Sequence, residues 1–193
     1  MIARKYEPMR LTPVDSLPEG PEWWYEAKLD GYRMMGEIAL KQTVLTTRPG
    51  NDFTARVPQV AEQLPSAFNG HDVVIDGEMV GLDPHGKENR HELAKARPNA
   101  VYYIFDLLEV DGEPLLGRGL QERRKRLEDI FEPRRRVKLS LPFFELPPLL
   151  IAAQGAGLEG IVAKRLGSRY RPGRISHSWL KWKFGLDIDH TDE

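Results

Sequence analysis

The sequence predicts an α+β fold in which two antiparallel β-sheets are flanked by helices. Segments of strand length with period-two alternation outnumber segments with helical spacing. The helical segments fall between the strands irregularly, without the regular strand–helix alternation that is typical of a parallel sheet. Of the 193 residues, 40% are hydrophobic, which is enough apolar material for a substantial core.

The first half of the chain is predicted to consist mainly of strands. Residues 1–21 contain four prolines and are expected to form an extended lead-in. Residues 23–37 are predicted to form a strand, a turn and a second strand, and residues 44–47 a third strand. The spacing of apolar residues over 53–64 predicts a helix, and Pro58 within it is an alternative start.

The second half mixes both kinds of element. The apolar patterns predict, in order, strands at 72–82 and 101–110, a helix at 120–131, a strand-like segment at 137–146, a helix at 149–155, and strands at 160–165 and 179–184. The helix at 120–131 carries the basic run Arg123 to Arg126. Acidic residues alternate with this run, which favours a solvated face over a DNA-binding surface.

Composition limits the classes of function. The formal net charge is -1, so any contact with nucleic acid must use a local basic face. The absence of cysteine excludes disulfides, thiolate metal sites and cysteine nucleophiles. Carboxylates far outnumber the five histidines, which favours Mg²⁺ or Mn²⁺ over Zn²⁺ for any bound metal. No apolar run is long enough to span a bilayer, and we expect a soluble cytoplasmic protein.

The first candidate site is a charged cluster in an otherwise apolar stretch. In extended backbone, Glu26, Lys28 and Asp30 project to one face. A lysine between two acids is often a surface ion pair. Gly31 and the surrounding aromatic residues favour a shaped pocket instead.

Two further strands carry charges at alternate positions. Asp76 and Glu78 share one face of an apolar strand, and burying them requires a partner such as a cation, a ribose or a metal. Lys181 and Lys183 share one face of another strand and would repel each other unless an anion such as phosphate lies between them. A solvent-facing edge strand is the alternative in both cases. Phe105, taken alone, is most simply a core residue.

The order and spacing of these segments resemble the motifs of the covalent nucleotidyltransferase superfamily, which contains DNA ligases, RNA ligases and mRNA capping enzymes. The resemblance extends from about residue 7 to residue 183. It rests on Lys28-Leu29-Asp30-Gly31-Tyr32-Arg33, Thr47-Arg48-Pro49-Gly50, Asp76-Gly77-Glu78, Phe105-Asp106-Leu107-Leu108, Glu159-Gly160-Ile161-Val162-Ala163-Lys164 and Trp179-Leu180-Lys181-Trp182-Lys183. The fourth of these segments and the run at 168–174 resemble bacterial ATP-dependent DNA ligases, including those of end-joining systems.

This resemblance implies an ATP-grasp-like fold with a nucleotide cleft between the two sheets. Lys28 is then the nucleophile that takes AMP from the α-phosphate of ATP and passes it to the 5′-phosphate at a nick in DNA. The resemblance also assigns the other site residues: Lys181 and Lys183 to transition-state charge, Asp30 to orienting the nucleophile or a hydrated metal, Glu78 and Glu159 to Mg²⁺ or Mn²⁺ or the ribose, Arg33 and Arg48 to ribose and phosphate, Phe105 to stacking on adenine, Glu26 to its exocyclic amine, and Ala27 to the nucleotide site.

The resemblance also predicts the domain organisation and the partners. We expect an adenylation domain over residues 1–186 and an acidic tail at 187–193, without the OB-fold domain that follows in the family. Nicked duplex DNA would then bind weakly, unless a separate OB-fold or end-joining partner assists. We expect a monomer in the cytoplasm, associated with the nucleoid. An RNA ligase, a capping-type guanylyltransferase and a non-catalytic nucleotide-binding domain are the alternatives.

Overall fold

Within residues 5–96 and 98–184, which the computed structural model describes, the chain forms two β-sheets and four α-helices. The strands are β1 (Arg10–Pro13), β2 (Trp23–Lys28), β3 (Tyr32–Ala39), β4 (Gln42–Thr47), β5 (Val73–Gly81), β6 (Ala100–Val110), β7 (Glu113–Pro114), β8 (Val137–Leu139), β9 (Gly160–Arg165) and β10 (Ile175–Lys183). The helices are α1 (Pro58–Ala61), α2 (Leu64–Ala67), α3 (Leu120–Ile130) and α4 (Leu146–Gly155), with short 3₁₀ turns at Thr54–Arg56 and Arg90–Ala94.

The two sheets differ in size. The smaller sheet has the strand order β1-β10-β9-β2, and the larger has the order β4-β3-β5-β6-β7, with β8 paired to β6. This architecture confirms the predicted α+β class with two sheets. Most neighbouring strands are antiparallel, as expected, but β1 pairs with β10 and β8 with β6 in parallel. Of the strands in these parallel pairs, β1 lies in the lead-in, where no strand was predicted, and β8 is shorter than the strand-like segment predicted at 137–146.

Strand alternation distributes the apolar side chains between separate clusters. In β5, Val73, Ile75 and Met79 pack into the core between the larger sheet and the helices. Val74, one residue out of step, packs with Trp24 and Trp179 of the smaller sheet. Because both faces of β5 are covered, this strand lies at the centre of the fold and not at a solvent-facing edge.

Two local predictions were wrong. The residues at 53–64 form a 3₁₀ turn and two one-turn helices, because Pro58 and Pro65 each start a new turn and interrupt one continuous helix. The segment 137–146 forms a strand only over Val137–Leu139, and α4 already begins at Leu146. The extended lead-in agrees with the prediction and additionally contains β1, which pairs with a strand more than 160 residues away and has no local signature.

The basic run in α3 was predicted to be solvated, but only part of it is. Arg123 and Arg124 are buried, whereas Lys125 and Arg126 are exposed. The Arg123 guanidinium forms a paired hydrogen bond with Asp106 of β6, at 2.8 and 2.7 Å, and both side chains are fully buried. None of the helices in the described residues is long and apolar enough to cross a membrane. The acidic tail predicted at 187–193 lies outside the described residues.

Candidate active site

A cavity of about 1090 Å³ is lined by residues of both sheets. The smaller sheet contributes strands β1, β2, β9 and β10. The larger sheet contributes Arg33 from β3, Glu78 from β5 and Phe105 from β6. The cleft predicted between the two sheets is therefore present.

The floor of the cleft is a regular array of side chains on the smaller sheet. Because β2, β9 and β10 are paired in register, residues opposite one another form rows across the sheet, and every second row faces the cleft. The three rows are Trp24–Lys164–Trp179, Glu26–Val162–Lys181 and Lys28–Gly160–Lys183. The opposite face of β10 carries Leu180, Trp182 and, beyond the strand, Phe184, which pack against α4 and its neighbours. The predicted sidedness of Lys181 and Lys183 is thus confirmed.

Lys28 and Lys183 converge on one carboxylate. Lys28 Nζ donates to Glu159 Oε2, and Lys183 Nζ lies 3.0 Å from Glu159 Oε1. Burial alone would raise the pKa of Glu159, but the two lysines hold this pKa below its usual value. Gly160 permits the close packing of strands here, since a Cβ at this position would lie 2.0 Å from the carbonyl oxygen of Trp182.

A second ion pair holds Arg33 in the cleft. Arg33 donates to both oxygens of Asp76, Nε at 3.0 Å and Nη2 at 2.6 Å. The hydroxyl of Tyr170 donates to Asp76 Oδ2 at 2.6 Å and accepts from the backbone N–H of Met9 at 2.9 Å. Asp76 therefore accepts hydrogen bonds from both Arg33 and Tyr170, and it orients the Arg33 side chain, which lines the cavity.

Glu78 faces the cavity from β5 in an unfavourable environment for a charge. Burial raises its pKa to about 7, and the charges of Asp76 and Glu159 add to this, whereas Arg33 and Lys28 oppose it. A desolvated carboxyl of this kind, close to a second carboxylate and a lysine, is typical of functional sites.

We expect Glu78→Gln to stabilise the protein at high pH. The folded carboxyl keeps its proton between pH 4.5 and about 7, where the carboxyl of an unfolded chain has lost it. Wild-type stability therefore falls as the pH rises through this window. The Tm of the variant should exceed that of the wild type at pH 8, and the gap should narrow towards pH 5. The exposed Glu62→Gln is the control, and an equal gap at both pH values would contradict the prediction.

The far end of the cleft is aromatic. The β5–β6 register passes from Asp106, opposite Asp76, to Ile104, opposite Gly77, which leaves Phe105 as the extra residue of a bulge. Bulges commonly re-aim a side chain beside a functional site. The Phe105 ring lines the cavity, meets Trp179 edge-to-face with centroids 5.9 Å apart, and lies 5.2 Å from the Arg33 guanidinium carbon.

Comparison with known proteins places this cleft in a family. Residues 8–183 match the ATP dependent DNA ligase domain. The chain belongs to this family. It is 40% identical over 181 residues to the multifunctional non-homologous end joining protein LigD of Pseudomonas aeruginosa. The aligned region covers 90% of this chain and 21% of that protein. The chain thus spans about a fifth of the length of this curated relative.

Solved structures agree with the family assignment. The ligase domain of LigD from Mycobacterium tuberculosis is 32% identical with a TM-score of 0.81, covering 92% of this chain and 59% of that one. A mycobacterial DNA ligase D complexed with ATP and MES has the same identity and TM-score. An archaeal ATP-dependent RNA ligase, at 22% identity and a TM-score of 0.58, shows the shared fold alone. The chain is an ATP-dependent DNA ligase domain, and the main functional prediction is confirmed at the level of this family.

The structure brings most of the predicted site residues of this ligase domain together. The cavity is lined by Glu26, Ala27, Lys28, Arg33, Arg48, Glu78, Phe105, Lys181 and Lys183. Glu159 contacts two of these lysines. Asp30 differs, since it is exposed in the β2–β3 turn, does not line the cavity, and lies close enough to Glu88 to raise the pKa of that carboxyl after the larger effect of burial.

The carboxylates of this ligase domain fit a hard divalent cation that takes only one or two of its ligands from the protein. Among the described residues, no group of three or more acidic or histidine side chains forms a metal cage. Glu78 and Glu159 affect each other electrostatically and flank Lys28. Mg²⁺ is usually held by one or two carboxylates together with waters and substrate phosphates. The two glutamates therefore suit a metal that arrives with a nucleotide.

Sequence reasoning left several residues of the cleft without a role. Lys164 and Trp179 lie within the motif segments but were given no part in the site, and Ser140 and Arg90 were not singled out; all four line the cavity. Period-two alternation places Lys164 on the same face as Gly160 and Val162, and this signal could have found it. Ser140 follows β8 by one residue, and nothing in its surroundings in the sequence indicated a site.

Proposed function

We propose that this chain transfers AMP from ATP to Lys28 and then to the 5′-phosphate at a nick in DNA, for sealing. The observation that carries the proposal is the last row of the cleft floor, where Lys28 and Lys183 meet on Glu159. A single lysine held in a cleft by an acid is a common ion pair. A lysine that shares its acid with a second lysine, beside a third at Lys181, forms a site for a phosphate and its nucleophile.

The first step forms one bond and breaks another at the α-phosphorus. The Lys28 amine attacks in line, pyrophosphate leaves, and a phosphoramide bond joins Lys28 to AMP. A protonated lysine cannot attack, so the ammonium must first lose a proton. Glu159 is the carboxylate in contact with that ammonium. Lys181 and Lys183 stabilise the negative charge that builds up on the phosphate oxygens.

We assign the remaining cleft residues to the other parts of ATP. Phe105 stacks on the adenine, and Glu26 and Ala27 contact its edge. Arg33, oriented by Asp76, and Arg48, exposed at the mouth of the cleft, bind ribose and phosphates. Glu78 and Glu159 hold Mg²⁺ or Mn²⁺. When bound, this cation neutralises the crowded phosphate oxygens. Asp30, which is exposed in the β2–β3 turn, would reach the nucleophile or a hydrated metal through a movement of that turn on ATP binding.

The steps on DNA are proposed from relatives of which this chain spans only a part, about a fifth in the case of the Pseudomonas aeruginosa protein. These relatives are named as non-homologous end joining proteins and DNA ligases. We therefore propose nicked duplex DNA as the substrate, DNA repair as the process, and a monomer that acts in the cytoplasm near the nucleoid. A separate OB-fold or end-joining partner would strengthen the grip on DNA.

Intact-mass spectrometry tests the first step. After incubation with ATP and Mg²⁺ or Mn²⁺, the wild type should gain the mass of AMP through a phosphoramide bond, which is stable in alkali and labile in acid, and Lys28→Ala should gain nothing. GTP is offered in parallel. An adduct with GTP alone would favour a guanylyltransferase, and a wild type that forms no adduct with either nucleotide would favour a non-catalytic domain.

A further inference from the structure

A buried ion pair lies in the cleft but has no role in the chemistry at Lys28. Lys164 Nζ donates to Glu26 Oε1 at 2.8 Å, and each side chain is only 3% exposed. The hydroxyl of Ser140 donates to Glu26 Oε2 at 2.7 Å. All three residues line the cavity.

Such a pair is not explained by stability. Removing two charges from water is costly, and apolar residues of similar volume often pack at least as well. The Lys164 ammonium is further confined by two aromatic rings, 4.1 Å from the centroid of Phe105 and 4.4 Å from that of Trp179. Burial lowers the pKa of Lys164, and Glu26 only partly offsets this. The arrangement holds Glu26 rigidly at some cost to the fold, which points to a role for Glu26 itself.

The position of Glu26 matches the base end of a bound nucleotide. Glu26 precedes Lys28 by two residues on β2, so about 7 Å of strand separates the two positions on the same face. The ammonium that binds Glu26 also touches Phe105, the proposed adenine wall. A nucleotide with its phosphate at Lys28 and its base on Phe105 therefore brings the edge of the base to Glu26.

Glu26 retains acceptor capacity towards the cavity. A carboxylate offers about four acceptor sites. Lys164 and Ser140 each occupy one, on different oxygens. Adenine presents an exocyclic N–H₂ donor at its edge, whereas guanine presents an oxygen at the same position, which a carboxylate repels.

We propose that Lys164 and Ser140 are positioning residues for base selection, which hold the Glu26 carboxylate where it accepts a hydrogen bond from the exocyclic amine of adenine. This inference rests on the proposed adenylation of Lys28 and deepens it by naming the residues that set nucleotide preference. Neither residue touches the reacting phosphate.

The test compares ATP with purine riboside 5′-triphosphate, which lacks the exocyclic amine. Time courses of Lys28 adduct formation are followed by intact mass at subsaturating nucleotide with Mg²⁺. The wild type should prefer ATP by about tenfold or more, as expected for a hydrogen bond to a charged group. Lys164→Met should reduce this preference to about threefold or less, the value for a weak neutral hydrogen bond. Lys138→Met, an exposed lysine on β8, should leave the preference unchanged.

The ratio of the two rates of adduct formation, with ATP and with purine riboside 5′-triphosphate, separates a positioning role from general damage to the site. If Lys164→Met slows adduct formation from both triphosphates by the same factor, the pair is only structural and the inference is overturned. Thermal melts check folding. If Lys164→Met does not fold, Ser140→Ala decides, since it removes one neutral hydroxyl. It should lower the preference by about threefold, and an unchanged ratio overturns the inference.

The wild type distinguishes this inference from the proposed function. A wild type that forms no AMP adduct refutes the proposed function. A wild type that forms adducts equally well from both triphosphates leaves the proposed function intact and refutes only base selection by Glu26.

Discussion

Replacing Arg123 with Met should lower the free energy of unfolding by about 3–5 kcal/mol, the usual cost of breaking a buried ion pair by removing one partner. Asp106 would remain fully buried with its charge unmatched. Two carbonyl oxygens, of Arg118 and Ser168, would also lose the donor that Arg123 Nη1 provides at 2.7 and 2.9 Å. The loss is therefore shared by α3, β6 and the segment that leads into β10.

Urea denaturation followed by circular dichroism measures this loss. Lys125→Met is the matched control, because Lys125 pairs with Asp129 on the same helix but is 76% exposed. Its removal should change stability by about 0.5 kcal/mol or less. The double variant Arg123→Met with Asp106→Asn should recover part of the loss, since no unmatched charge then remains buried at this position. Equal effects of Arg123→Met and Lys125→Met would show that the pair contributes nothing.

Arg123 also shows where the sequence stops being informative. Basic and acidic residues alternate through α3, and this pattern is the same for a solvated helix as for one with a buried arginine. The distinction depends on Asp106, which lies on a strand packed under the helix. Asp106 adjoins a bulge that no alternation rule anticipates. The helix itself was predicted correctly. The prediction of a solvated face failed for Arg123 because the helical sequence does not reveal its partner Asp106 on β6.

The rows of the cleft floor show the opposite case. Period-two alternation places Lys181 and Lys183 together, and places Glu26 and Lys28 together, from the sequence alone. Strand pairing then brings these two faces side by side. The sequence could not predict which residues meet across strands, because β2 and β9 are more than 130 residues apart. The contact between Glu26 and Lys164, and the sharing of Glu159 by two lysines, arise only from that pairing.

Asp30 marks a different limit. Extended backbone would carry it to the face of Glu26 and Lys28, as predicted, but β2 ends at Lys28. Gly31 then packs so closely on β5 that a Cβ would lie 2.1 Å from the carbonyl oxygen of Met79. The turn therefore rotates Asp30 outwards. A motif fixes the order of residues, whereas the side of the chain that each faces depends on where the strand stops.

Glu159→Gln should slow adduct formation at Lys28 by about a hundredfold or more, the scale of removing one preorganised electrostatic contact from a transition state. The carboxylate accepts from Lys28 on one oxygen and lies 3.0 Å from Lys183 on the other. An amide presents an acceptor to one lysine and an N–H₂ donor to the other, so it cannot hold both. It is also a poorer ligand than a carboxylate for a hard divalent cation.

The affinity for ATP should change much less than the rate, because Glu159 contacts Lys28 directly and would reach the nucleotide only through the proposed cation, which Glu78 would also hold. Adduct formation is followed by intact mass at saturating ATP, and the dissociation constant of ATP is measured by calorimetry on a Lys28→Ala background. Glu145→Gln, exposed and outside the cleft, is the control. If affinity and rate fall by the same factor, Glu159 stabilises bound ATP and the transition state equally. The convergence of two lysines on one acid would then serve the binding of ATP and not the reaction at Lys28.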